Sequence, residues 1–309
     1  MPRRRSPKPT DGQRRLRLER QLALVRWLCR QFGFADNTAM LEKCRDSEGR
    51  RDGQSNILSV LQGQDALQIP PAHLALYDAN IARHLEKMNT RRSEPVALKY
   101  FQQLAALGTE YYLHRLFSAP HSLLADLNGF LAEHNRSSEH LQGFPKFTQS
   151  DLRKIAFWMA TGSGKTLLLH LNYRQFLHYF PRAGRTLGAW EQLDNILLLT
   201  PNERLSEQHR EEFALSGIPA RRVDESTGLL PGGDAVQIIE ITKLARQKRG
   251  QGASIPLERF DGRNLVFVDE GHKGSGGEEW FKAREQVGRG GFTFEYSATH
   301  RAKSHHTIE

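Results

Sequence analysis

The feature that most constrains this chain is the passage from KIAFWMAT (154–161) through a glycine-bracketed turn into KTLLLHLNYRQFLHY (165–179). A short apolar run, a glycine-rich turn and then a long amphipathic run predict strand, tight loop and helix. The turn reads MATGSGKT, residues 159–166. Gly162 and Gly164 allow the backbone to turn sharply and to approach a phosphate, so that consecutive N–H groups point inward as an anion nest. The positive end of the following helix adds to that field. Thr161, Gly162, Ser163, Gly164, Lys165 and Thr166 are therefore the candidate ATP-binding residues. Lys165 is expected to reach the β- and γ-phosphates and Thr166 to hold Mg2+ through its hydroxyl. Met159 stands where the general phosphate-loop pattern has its first glycine, so the strict pattern fails there while its closing part is intact. A glycine-rich turn without a ligand is the competing reading, and the strand–helix context weighs against it.

Four more apolar runs read as strands: NILLLT (195–200), VQIIEIT (236–242), NLVFVDE (264–270) and FTFEYSAT (292–299). Their near-continuous apolar character suits a parallel sheet buried on both faces. Helices are expected over 202–217 and 278–288 between them, the first with Thr200 as N-cap, Pro201 at N1 and Glu203 closing a capping box. This alternation predicts an α/β three-layer fold with its site at the carboxyl ends of the strands. One of those ends carries Asp269 and Glu270. Phosphoryl transfer from ATP needs one carboxylate for Mg2+, assigned to Asp269, and a group that orients the attacking water, assigned to Glu270. Lys165, Asp269 and Glu270 are the candidate catalytic residues. A DE pair that merely ends a strand is the alternative, and the phosphate loop about a hundred residues upstream argues against it. His272 has no second ligand at helical spacing, so zinc is not expected.

Upstream the texture differs. Residues 1–14 are polar and basic and are expected to be a disordered arm, either touching phosphates or solubilising the chain. Residues 15–140 read as a helical domain without a convincing strand. Helices are expected over 15–33, stopped by Gly33, and over 71–90, 96–117 and 120–134. Tyr and Phe stripes such as Phe101 and Tyr111 are expected in the core rather than on a base-stacking surface. The polar stretch 134–150, broken by Gly143 and Pro145, is the expected boundary before an ATP-binding domain over 146–309. Cys29 and Cys44 form no metal pattern and read as ordinary helical thiols. The net charge of +9 favours an anionic polymer as partner. No apolar run is long enough for a membrane span and no apolar signal core follows the basic N-terminus, so a cytoplasmic protein is expected.

TGSGKT, TPNERL, IIEITKL, DEGH and SAT occur in that order. This series resembles motifs I, Ia, Ib, II and III of superfamily 2 helicases over residues 147–300. MATGSGKT and DEGH are most similar to the restriction (R) subunits of type III restriction enzymes and related DEAD/DEAH-box proteins. The resemblance implies a RecA-like P-loop NTPase domain acting as an ATP-driven helicase or translocase on nucleic acid, expected to be DNA, in restriction or phage defence. It implies that Thr200, Pro201 and Asn202, and Thr242 and Lys243, contact one strand's backbone. It also implies that His272, Ser297, Ala298 and Thr299 couple hydrolysis to movement. Backbone contact would make binding largely sequence-independent and salt-sensitive. A methyltransferase or a second motor or nuclease subunit is a candidate partner. Many relatives read adenine with an upstream glutamine. Gln149, with Phe147 as stacking partner, is the nearest candidate, although its short spacing favours a linker residue. A superfamily 2 motor places ATP between two RecA-like domains, and the sequence ends at Glu309 without room for motifs IV to VI. The expectation is the first of two such domains with the second absent, poorly active alone. A truncated, non-catalytic ATP-binding remnant or assembly module is the alternative.

Overall fold

A computed structural model describes residues 22–137, 145–180, 193–223, 235–245, 255–269 and 278–298. The basic arm, Glu270, His272 and Thr299 lie outside the described residues. The N-terminal part is built from α1 (Ala23–Gln31), α2 (Asn37–Cys44), α3 (Asn56–Gln62), α4 (Pro71–Asn89), α5 (Tyr100–Ser118) and α6 (Pro120–Ser137). Gly33 ends the first helix, as its position predicts. Contrary to the expectation of no strand in this region, a small hairpin joins β1 (Arg50–Arg51) to β2 (Gln54–Ser55). Asp52 and Gly53 both have positive φ in its turn, as a two-residue Asp-Gly loop favours. Buried Asp78 anchors it, pairing with Arg50 at 2.7 Å and accepting from the Ser55 N–H at 3.0 Å.

Six parallel strands follow, β3 (Lys154–Trp158), β4 (Asn195–Thr200), β5 (Ala220–Arg222), β6 (Val236–Glu240), β9 (Asn264–Asp269) and β10 (Phe292–Ser297). Between β6 and β9 runs a two-stranded parallel pair, β7 (Leu244–Ala245) and β8 (Ile255–Pro256). The large sheet is ordered β3-β10-β9-β4-β6-β5. All the sequence-expected strands are present. β5 and the β7–β8 pair were not anticipated, because two or three residues are too few to show a periodicity. The helices α7 (Lys165–Tyr179), α8 (Glu203–Leu215) and α9 (Glu278–Gly288) connect the strands. The expected Thr200 cap of α8 is corrected: Asn202 is the N-cap, its side chain accepting from the Leu205 N–H at 3.0 Å. Thr200 still belongs to the strand, and Glu203 is drawn away to Arg222 at 2.6 Å.

Every residue of β4, β9 and β10 is buried, because both sheet faces are covered. Ile196, Leu198, Leu265 and Phe267 face one core, while Leu197, Leu199, Val266 and Val268 face another with Ala283 and Val287 of α9. The first core contains Leu168 and Phe176 of α7 and runs on without a break into Trp27, Tyr77, Tyr111, Tyr112 and Leu116 of the N-terminal helices. Tyr111 is thus core, as expected, while Phe101 is half-buried and stands outside that core. Hydrogen bonds cross the same junction: Gln175 Nε2 to the Ala106 carbonyl at 2.9 Å, and Tyr112 Oη to the Leu152 carbonyl at 2.9 Å. Cys29 and Cys44 are buried, and burial pushes their thiols up to about 12 and about 11.

Within this junction Glu110 accepts from Tyr179 Oη at 2.6 Å and from Asn80 Nδ2 at 3.0 Å. Burial raises its carboxyl from an ordinary 4.5 to about 7, against those hydrogen bonds. An acid raised in this way holds its proton more firmly folded than unfolded. Its contribution is full below about 4.5 and is lost as pH rises through about 7. Glu110→Gln is therefore expected to flatten the fall of unfolding free energy over that window. Urea melts of both proteins at each end of it test this; an identical pH dependence would refute it.

Candidate nucleotide-binding site

The strand order decides what meets at the carboxyl edge of the sheet. β10 lies between β3 and β9, with Ser297 beside Trp158 and Tyr296 beside Asp269. The phosphate loop leaving β3 and the carboxylate ending β9 are thus two strands apart, roughly 10 Å. β4, ending at Thr200, flanks β9 on its other side, and β6 comes next, ending at Glu240 beside Thr200. The described residues of segments scattered over about 140 positions of the sequence come to one row at one edge.

In the loop, Gly162 and Gly164 have φ of +77° and +82°, a region that L side chains rarely adopt. Gly164 is the N-cap of α7, and no side chain caps that helix. Its first-turn N–H groups and its positive end are therefore presented to an anion. Thr161 and Gly162 are exposed, and Ser163 through Thr166 are half-buried in the helix start. The loop is tied to β10: the Met159 N–H donates to the Ser297 carbonyl at 3.0 Å and Trp158 Nε1 to the Ala298 carbonyl at 2.9 Å. Ser297 and Ala298 are thereby fastened to the strand that carries the loop.

The glutamine that touches this loop is Gln102, on α5. Its Nε2 donates to the Ser163 carbonyl at 2.8 Å, and its Oε1 accepts from the Lys99 N–H at 2.8 Å, capping its own helix. A Cβ at position 164 would press on the Gln102 amide and displace it from Ser163, while the φ of +82° itself calls for glycine. Sequence reasoning placed Gln102 only as one residue of a helix. Gln149 is exposed in a turn near His121, and Phe147 is half-buried with its backbone paired to Asn128.

Asp269 is 8% exposed at the end of β9. His209 of α8, itself buried, places Nε2 2.9 Å from Asp269 Oδ2. Among the described residues Oδ1 makes no hydrogen bond. Nothing in the sequence pattern pointed to His209. Thr200 is buried and its hydroxyl is held by Ser206 at 2.6 Å, so the outward offering of this segment is exposed Asn202 and the first turn of α8. Pro201 is half-buried. Thr242 lies in a short 3-10 turn over Ile241–Lys243, and its side chain is outside the described residues. Lys243 pairs with Glu240 at 3.3 Å. The geometry brings Lys165, Thr166, Asp269, Ser297 and Ala298 to one edge, with Thr200–Asn202 and Thr242–Lys243 farther along it.

No curated protein matches the chain. Among solved structures, the UvsW helicase from bacteriophage T4 is similar at 14% identity and a TM-score of 0.35, covering 57% of this chain and 64% of that one. A second structure of T4 UvsW gives 15% identity and a TM-score of 0.32, over 57% of this chain and 36% of that one. The chain thus spans less than two thirds of these neighbours. Among the described residues no helix is long and apolar enough to cross a membrane. The family model described as "Type III restriction enzyme, res subunit" matches residues 127–301, more than half of the chain. With a parallel sheet carrying a phosphate loop at its carboxyl edge, the chain belongs to the type III restriction enzyme res subunit family, through a RecA-like domain of the superfamily 2 helicase type.

Proposed function

We propose that this chain binds ATP with Mg2+ and hydrolyses it as part of a helicase or translocase acting on DNA, in restriction or phage defence. The single observation that carries the reading is the phosphate loop with left-handed Gly162 and Gly164 at an uncapped helix start, in the same edge as Asp269. The loop N–H groups and Lys165 bind and orient the phosphates, and little covalent chemistry is then left for the protein. A hard cation that keeps most of its water is held by one or two carboxylates together with substrate phosphates. Asp269, with Oδ2 taken by His209 and no hydrogen bond to Oδ1 among the described residues, fits that donor set, with Thr166 as the second ligand. Mg2+, when bound, neutralises charge on the phosphates. Glu270 orients the attacking water. Asn202 and the α8 N-terminus, with Thr200, Pro201, Thr242 and Lys243 behind or beside them, meet the strand's phosphates. His272, Ser297, Ala298 and Thr299 relay the state of the site to that contact.

The test is direct. A ribose-labelled fluorescent ADP is titrated into the purified chain, and ATP hydrolysis is followed with and without DNA at two salt concentrations. Saturable ADP binding competed by ATP is expected, with any DNA effect fading at the higher salt. Absence of ADP binding by the folded chain would sink the ATP reading.

A further inference from the structure

His209 and Asp269 meet in a buried contact across the carboxyl edge of the sheet. His209 is 3% exposed, and among the described residues its Nδ1 has no hydrogen-bond partner. The bond to Asp269 is thus the one hydrogen bond of the His209 ring among the described residues. The Asp269 side chain is 10% exposed, and this contact is its sole hydrogen bond among the described residues. Removing it would leave the carboxylate free to turn about its last torsion, because terminal carboxylate torsions are broad.

We infer that His209 is a positioning residue for Asp269, holding Oδ2 so that Oδ1 is presented to a divalent cation at the nucleotide site. The inference rests on the ATP-site reading above. His209 is also placed to make α8 a connecting rod. The same helix begins at Asn202, on the segment proposed to meet a nucleic-acid strand, and reaches Asp269 two turns later. The rod is braced from α7: the His170 ring stacks on Phe213 at 4.3 Å, and His170 Nδ1 meets Ser216 Oγ at 2.8 Å. From the turn that follows α4, Arg92 reaches Glu212 at 3.0 Å and the same Ser216 hydroxyl at 2.9 Å. The C-terminal end of α8 is therefore held, and the helix sets the distance between Asn202 and the carboxylate. A 2.9 Å hydrogen bond is lost when its partners part by little more than half an ångström.

The experiment titrates Mn2+, which replaces Mg2+ and is read by its paramagnetic resonance, into the full chain saturated with ADP. ADP affinity is measured separately in EDTA. Removing the partner that orients a metal-binding carboxylate costs about 10–100-fold in metal affinity. His209→Leu is expected to weaken Mn2+ binding at least tenfold while leaving metal-free ADP affinity within about twofold. His209→Gln, whose amide can donate to the same oxygen, is expected to recover most of that loss. Asp269→Asn marks the full loss. Should the leucine variant fail to fold, His209→Asn, polar but too short to reach, takes its place. Unchanged Mn2+ affinity in the leucine or asparagine variant would overturn the inference, as would an equal loss of metal-free ADP binding, which marks a purely structural residue. Wild-type chain that binds ADP but shows no such dependence refutes the His209 role alone. Wild-type chain that does not bind ADP refutes the ATP site itself.

Discussion

Lys165→Ala is expected to weaken ADP and ATP binding by about 100-fold, the equivalent of about 3 kcal/mol for a truncated charge-assisted contact to phosphate. Lys165 opens α7 directly after left-handed Gly164, so its side chain starts from the rim of the anion nest. The backbone N–H groups and the helix end remain in the variant, which is why binding is weakened and not abolished. Glu270→Gln is expected to behave in the opposite way. It should leave ADP affinity within about threefold, and lower any hydrolysis by about 10²–10⁴, the usual worth of a positioned base. Equilibrium titration and single-turnover hydrolysis separate the two outcomes. If Lys165→Ala bound ADP as tightly as the wild type, the loop would not be a phosphate site. If Glu270→Gln hydrolysed ATP normally, the water would be oriented by another group.

The largest stability effect is expected far from the nucleotide, at Gly291. This residue lies where the chain leaves α9 and enters β10. A Cβ there would fall on the backbone of Asn264, 2.6 Å from its nitrogen and 2.8 Å from its carbonyl carbon. Backbone at the head of a central strand cannot step aside. Asn264 is fully buried, its amide donating to the carbonyls of Phe260 at 2.6 Å and Val287 at 2.9 Å while its oxygen accepts from Asn195. Gly291→Ala is thus expected to destabilise by about 3 kcal/mol, the upper range for overpacking, and to lower the melting temperature by roughly 6–12 °C. Gly129→Ala supplies the contrast. It sits exposed in α6 with nothing within 4 Å of an added Cβ, and should stabilise by about 0.5–1 kcal/mol because alanine is the better helix former. Urea unfolding of both variants checks the pair. A Gly291→Ala protein as stable as the wild type would contradict the crowding at Asn264.

Much of this was legible in the chain. The apolar runs at 195–200, 264–270 and 292–299 contain the strands Asn195–Thr200, Asn264–Asp269 and Phe292–Ser297, since a segment buried on both faces must be apolar throughout. TGSGKT announced its own backbone, because only glycine takes φ near +80° without strain. Several of the misses share a cause, a contact with a part of the chain far away in sequence. Asn202, and not Thr200, caps α8 because Thr200 remains paired in β4, a contact made with another strand. β5 is three residues held by its neighbour β6. Gln102 is 61 residues from the carbonyl it binds, and His209 is 60 from its carboxylate.

The sequence by itself determined the chemistry available: which turn can cradle an anion, which strands end in carboxylates, and which residues have no choice but to be buried. Those are consequences of local sterics and of side-chain period, and they operate within a few residues. Only the tertiary structure decided the strand order that sets Asp269 two strands from the phosphate loop, and the core that joins the N-terminal helices to α7. It alone put a glutamine from α5 against Ser163 and a histidine from α8 against Asp269. Hydrogen bonds of that kind depend on distances near 3 Å between residues far apart in the chain, and such distances exist only once the core has closed.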